Sequence, residues 1–205
     1  MKDVVTKTAA RRRPVQRRSK QTVEAVLDAV VRILKRDGVD GVTTNRIAEV
    51  AGVSVGSIYQ YFPDKRAIYG ALHARHVETI SRVIESVLVE HAASSLASFV
   101  RALVEALVEA HASDPELHEV MTTQVPHGED GAQTLEERLR GTFRLAISAR
   151  AKEPYSHRDL DRMLFVLPHM VEALAHGAVY RRPARLSLVA AKEEAVRAVL
   201  SYLRS

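Results

Sequence analysis

Nine histidines, all beyond residue 66, are the most conspicuous carriers of metal or acid–base chemistry in this chain of 205 residues. His73 and His76 stand three apart, and His169 and His176 seven apart, so each pair shares a face if its segment is helical. With Glu78 or Glu172 beside them, such pairs have the donor types of a zinc site. Neither pair is the tight His-Glu-x-x-His array, and the chain has no Cys to serve as thiolate ligand or nucleophile. The sequence also lacks a Gly-rich phosphate loop, a Gly-x-Ser-x-Gly elbow and a paired-carboxylate signature. Solvated or hydrogen-bonded histidines are therefore the expectation, with no metal, no cofactor and no catalytic residue. The chain does not read as an enzyme.

Positive charge offers a different chemistry. Residues 1–20 hold Lys2, Lys7, Arg11, Arg12, Arg13, Arg17, Arg18 and Lys20 against Asp3 alone, a local charge of +7. Residues 21–66 are neutral, with six basic and six acidic side chains, and residues 67–205 carry −2. A basic arm thus precedes a near-neutral body. Such an arm can neutralise nucleic-acid phosphates and release counterions, lie on an anionic membrane, or stay a solvated tail. An Arg-rich, acid-poor start also resembles an organelle transit peptide. The segments after the arm decide among these.

The body must be helical. Hydrophobic residues make up 46% and aromatics only 5%, with no Trp, which suits an aliphatic helical core. No apolar run approaches the roughly 18–20 residues that cross a bilayer, and the first twenty residues lack a secretory h-region. From Lys20 to Arg36, Val23, Val26, Leu27, Val30, Val31 and Leu34 recur at helical spacing, and Asp37-Gly38 closes the segment. Thr43 and Thr44 can cap a short helix over Asn45–Val50, with Ile47, Ala48 and Ala51 inward. Gly52 supplies a tight turn, Ser54 caps a second short helix reaching Tyr61-Phe62, and Pro63 stops it. Asp64 then caps a long pattern from Lys65 to about Glu90. Two short helices joined by a glycine turn form a helix-turn-helix. Its second helix keeps Val55, Gly56, Ser57, Gln60 and Tyr61 on the exposed side.

Beyond residue 90 the helices continue. Phe99, Val100, Leu103, Leu107 and Val108 share one face up to Ser113, and a shorter helix starts at Asp114-Pro115 with Leu117, Val120 and Met121. Residues 125–131 read as the clearest loop in the chain. Leu135, Leu139, Phe143, Leu145, Ala146 and Ile147 mark the next helix, ended by Lys152-Glu153-Pro154. The last two helices span about His157–Tyr180 and Leu188–Leu203. Their apolar residues (Leu160, Met163, Leu164, Leu167, Val171, Leu174, Ala178, Val189, Val196, Val199, Leu200 and Leu203) exceed a narrow core stripe, which suggests a partner surface. Pro168 falls inside a helical pattern, where it removes a hydrogen bond and bends the chain.

The stretch from Gly41 to Lys65, with its Ile-Ala, Ala-Gly-Val-Ser, Ile-Tyr and Tyr-Phe-Pro-Asp-Lys elements in order, resembles the DNA-binding segment of the tetracycline-repressor (TetR) family. The resemblance runs from roughly Lys20 to Tyr69, about a quarter of the chain; the rest matches in length and helical pattern. It implies an all-α fold: an N-terminal three-helix domain with a helix-turn-helix, then a helical-bundle ligand-binding and dimerisation domain. The corresponding boundaries are 1–19 for the basic flexible arm, 20–66 for the DNA-binding domain and 67–205 for the bundle.

The resemblance also implies roles. Thr44, Tyr59 and Lys65 would contact phosphates, which fix register without reading sequence. Asn45, Val55, Ser57, Gln60 and Tyr61 would face the bases, with Gln60 suited to an adenine edge and Val55 to a thymine methyl. Gly56 would let the backbone approach the groove, and Arg46 would reach a phosphate or pair with neighbouring acids. The arm, through Arg11, Arg12, Arg13, Arg17 and Arg18, would supply phosphate or minor-groove contacts that the neutral motif lacks. The last two helices would build a homodimer interface, so that two recognition helices read a palindromic operator on double-stranded DNA. A ligand pocket would draw on Phe99, Leu103, Met121, Phe143, Ile147, Met163, Val166, His169, Met170 and Ala173, and its character favours an apolar or amphipathic small molecule. The expected protein is a cytoplasmic, ligand-released repressor with no membrane partner. The alternative is a helical DNA-coating or scaffold protein that uses the same motif without ligand control.

Overall fold

A computed structural model of the chain describes residues 12–113, 129–150 and 160–204, and every described element is an α-helix. In chain order these are α1 (Arg12–Asp37), α2 (Thr44–Ala51), α3 (Val55–Tyr61), α4 (Lys65–Glu90), α5 (Leu96–Ala112), α6 (Glu129–Ser148), α7 (Leu160–Tyr180) and α8 (Leu188–Arg204). The chain divides into two compact units, Met1–Leu72 and His73–Ser205, and the boundary falls inside α4.

The first unit is α1, α2, α3 and the start of α4. α1 begins at Arg12, so it takes in eight residues of the expected flexible arm. Val26, Leu27, Ala29, Val30, Ile33 and Leu34 are its buried face, while Val23 and Val31 are only half-buried. α1 packs on α2, and α2 on α3. Local chemistry sets the breaks between them. Thr43 Oγ1 accepts the Arg46 N–H at the start of α2. Gly52 ends α2 at φ +68°, a left-handed conformation that costs a residue with a Cβ about 1–2 kcal/mol. Ser54 caps α3 through the Ser57 N–H at 3.0 Å, and Asp64 caps α4 through the Ala67 N–H at 2.8 Å.

The second unit is a bundle in which α7 packs against α5, α6 and α8, and α5 also packs against α6 and α8. Its core draws Ile80 and Ile84 from α4, Phe99, Leu103 and Leu107 from α5, Leu139 and Phe143 from α6, Leu167 and Val171 from α7, and Val196 and Val199 from α8. Phe99 and Phe143 meet edge to face with centroids 6.3 Å apart, a favoured aromatic geometry. Arg150 ties the corner between α4 and α5 to the end of α6. Its guanidinium donates to the carbonyls of Ser94 (2.7 Å), His91 (2.8 Å) and Ala146 (2.7 Å) and lies over the Phe99 ring.

Three expectations change here. Residues 125–131 do not all form a loop, because α6 already begins at Glu129. Leu145, one of the apolar residues that mark α6 in the sequence, does not join its core and is exposed. α7 is long and apolar enough to cross a membrane, although no uninterrupted apolar run reaches that length. Pro168, His169, Glu172 and His176 break the run without making the helix polar. Met163, Leu164, Leu167, Val171 and Ala175 are buried in the bundle, which identifies α7 as a core helix. The expected helix containing Leu117, Val120 and Met121 lies outside the described residues.

Candidate nucleic-acid interface

α3 is only seven residues long, so its orientation comes from packing rather than propensity. Ile58 and Phe62 are buried and anchor it, and the Phe62 N–H donates to the Ile58 carbonyl at 2.9 Å. With that face inward, Gly56, Tyr59, Gln60 and Tyr61 are exposed, and Val55 and Ser57 are half-buried at the N-terminal turn. Tyr59 leaves 55% of its surface in solvent, unusual for a large aromatic with nothing to cover it. A Cβ at Gly56 would meet only Ser54 Oγ, at 3.8 Å, so no neighbour among the described residues demands glycine there.

The other expected contacts fall around this face with partners of their own. Thr43, not Thr44 or Asn45, performs the capping of α2; Thr44 is half-buried and Asn45 exposed. Arg46 pairs with Glu49 at 2.5 Å and lies 4.0 Å from Asp37, so its guanidinium is engaged with neighbouring acids. Ser57 shares its hydroxyl with Ser54 across 2.8 Å. Lys65 donates to the Val42 carbonyl at 2.9 Å, tying the first turn of α4 to the connection between α1 and α2. An ammonium has three donors, so this bond holds the charge in place while leaving donor capacity.

The expected pocket residues divide. Phe99, Leu103, Phe143, Ile147 and Met163 come together as buried core. Val166 and Met170 are half-buried on α7, Ala173 is exposed, and Met121 lies outside the described residues. His169 alone among the expected residues lines a cleft of about 250 Å³, where it joins Glu136, Leu139, Pro168 and Glu172. Its Nε2 lies 3.6 Å from Glu136, and its Nδ1 is 2.9 Å from the Phe165 carbonyl. The in-helix proline and the expected pocket residue His169 are the sequence signals that fall in this cleft; Glu136 and Leu139 were not expected in a pocket.

The last two helices also differ from expectation. Met163, Leu164, Leu167, Val171, Ala178, Val196, Val199 and Leu203 are buried within one chain. The apolar excess on their surfaces reduces to Phe165 on α7, 67% exposed, and Val189 on α8, 62% exposed, beside half-buried Leu160, Leu174 and Leu200.

Comparison with known proteins places this architecture. Residues 26–72 match the family model of bacterial regulatory proteins of the tetR family, and residues 95–203 match that of the tetracyclin repressor-like C-terminal domain. Nucleoid occlusion factor SlmA of Actinobacillus pleuropneumoniae is 31% identical over 104 residues, half of each chain. The chain thus spans about half the length of these curated relatives. Among solved structures, a Rhodococcus protein of unknown function superposes with a TM-score of 0.69 at 21% identity, covering 90% of this chain and 96% of that one. The fatty acid degradation regulator FadR of Bacillus halodurans does so at 0.62 and 19%, covering 89% and 96%. These structural likenesses concern the fold. The two family matches mean that the chain belongs to the TetR family of bacterial regulatory proteins rather than to an enzyme family.

Proposed function

We propose that the chain acts as a homodimeric repressor that binds a palindromic operator and leaves it when an apolar or amphipathic small molecule binds. The observation that carries this reading is the outward face of α3. Tyr59, Gln60 and Tyr61 are exposed over a helix whose opposite side is locked by Ile58 and Phe62, and Gly56 leaves room for close approach. In this reading Tyr59, Thr44 and Lys65 meet phosphates, and Gln60, Val55, Ser57, Tyr61 and Asn45 face base edges. Arg46, held by Glu49, orients rather than reads.

Phe165 and Val189, large apolar side chains left in solvent, support dimerisation through α7 and α8. A dimer sets its two recognition helices about 34–36 Å apart, or a multiple of a helical turn, and so selects dyad-symmetric sites. The cleft beside Pro168 offers Leu139 and proline as apolar wall, with Glu136, His169 and Glu172 as polar rim, which suits an amphipathic ligand. Release requires only that the ligand prefer one spacing of the dimer, a coupling of about 1–3 kcal/mol.

Light scattering on the purified chain tests the dimer. The wild type is expected at twice the chain mass, and Phe165→Glu, which places a charge on that apolar surface, is expected to run as a monomer and lose tight operator binding. A monomeric wild type, or a Phe165→Glu protein that still dimerises, contradicts the assignment.

A second reading has one observation in its favour, the identity to a nucleoid occlusion factor over half the chain. In that reading the protein coats or marks chromosomal DNA without small-molecule control, and its affinity is governed mainly by salt.

A further inference from the structure

The fold joins histidines that sequence spacing does not. His111, in the last turn of α5, meets Glu172 and His176 of α7, and one donor atom from each lies within 4.8 Å of the others. His111 is buried; Glu172 and His176 are half-buried. Glu172 and His176 stand one turn apart on α7, with Oε1 and Nε2 separated by 3.6 Å. The His111 and His176 rings meet edge to face at 4.4 Å, and His76 of α4 packs its ring 5.5 Å from that of His111. The Tyr180 hydroxyl donates to the His111 carbonyl at 2.6 Å, which fixes the end of α5 against α7.

We propose that His111, Glu172 and His176 form a binding site for one first-row divalent transition cation, with zinc the best-fitting ion. Two imidazoles and one carboxylate are the donor set of three-ligand zinc sites that keep a fourth position open. Calcium and magnesium want mostly oxygen ligands, and this trio supplies too few. Bonds of about 2.0–2.2 Å in tetrahedral geometry put ligand atoms roughly 3.4 Å apart. The Glu172–His176 pair already stands near that spacing, and the trio as a whole needs a contraction of little more than ~1 Å, within the reach of side-chain torsions.

The electrostatics agree with the geometry. Burial pushes the Glu172 carboxyl up to about 7, a pull that His169 only partly opposes. Burial, aided by the charge of Arg181, lowers His176 below the ordinary histidine value and so favours the neutral, metal-binding imidazole. A cation would compensate a carboxylate that otherwise resists ionising. Glu172 also lines the cleft beside Pro168, which gives an ion a route from solvent. Bound there, it would pin α5 to α7 and stabilise the folded chain by mass action. The site shares Glu172 with the proposed inducer cleft, but its test involves neither operator DNA nor inducer, so failure of either reading is seen separately.

The test uses the full chain stripped with EDTA, then titrated with Zn²⁺ against a chromophoric chelator and, separately, with Co²⁺ followed by visible absorption. One equivalent per chain is expected, with the intense d–d bands of a four-coordinate cobalt site and a raised Tm. Glu172→Gln and His176→Ala are expected to weaken binding roughly 100-fold or more and to abolish those bands. His73→Ala, on α4 and outside the trio, is expected to leave them unchanged. Glu172→Gln keeps shape and polarity, so it reports on ligation even if His176→Ala folds poorly. A wild-type chain that takes up neither ion, or a folded Glu172→Gln protein that binds as the wild type does, overturns the proposal.

Discussion

Tyr59 and Gln60 are neighbours on α3 with different proposed work. A phenol hydroxyl on a phosphate adds affinity for any sequence, whereas an amide on a base edge adds discrimination. Tyr59→Phe is therefore expected to weaken operator and non-operator DNA alike, by about 1 kcal/mol or roughly fivefold. Gln60→Ala is expected to cost about 1–3 kcal/mol on the operator and to flatten preference at one base pair per half-site. Binding of both variants to a panel of single-base operator changes separates the two roles. Equal, sequence-independent losses for both would remove Gln60 from base reading. Lys65 is a mixed case: its bond to the Val42 carbonyl makes it a clasp of the first unit as well as a proposed phosphate contact.

Elements were legible where their limits are local. Thr43, Gly52, Ser54 and Asp64 each act on a backbone group within four residues, so their identities announce the starts and stops of α2, α3 and α4. Tertiary choices left no such mark. Periodicity places Phe165 and Val189 on helical faces but cannot say which face a neighbour covers. It paired His169 with His176, whereas the fold sets His176 beside His111 of another helix. Arg150 was equally silent, because its carbonyl partners at His91 and Ser94 come from the α4–α5 corner, remote in sequence. Removing that guanidinium takes a charged donor from the Ser94, His91 and Ala146 carbonyls, of which His91 keeps the Ser94 N–H and hydroxyl. Arg150→Ala is expected to cost about 2–3 kcal/mol of bundle stability, read as a lower Tm and faster amide exchange at the end of α4. Wild-type stability in this variant would show that water replaces those bonds at no cost.

At the scale of the molecule, charge is partitioned by role. The folded motif over residues 21–66 is neutral, residues 67–205 carry −2, and the basic excess sits in the first twenty residues. Because α1 already begins at Arg12, the segment that can be removed without cutting the helix is residues 1–11, with Lys2, Lys7 and Arg11. If these side chains neutralise phosphates, deleting residues 1–11 lowers affinity and flattens the slope of log K against log salt by about 0.9 for each phosphate no longer neutralised. An unchanged slope would assign the electrostatic affinity elsewhere. Regulation by a dimer of such chains rests on one prior fact, that the protein selects particular sites at all. The most direct measurement is selection of genomic fragments by the purified full chain at physiological salt, followed by a salt titration of the best fragment. A dimeric repressor is expected to enrich a small set of fragments sharing a dyad, with half-sites one helical turn or a multiple apart, and a preference that survives as salt rises. Weak enrichment of every fragment, with affinity that tracks salt alone, would contradict that reading and leave a protein that coats DNA.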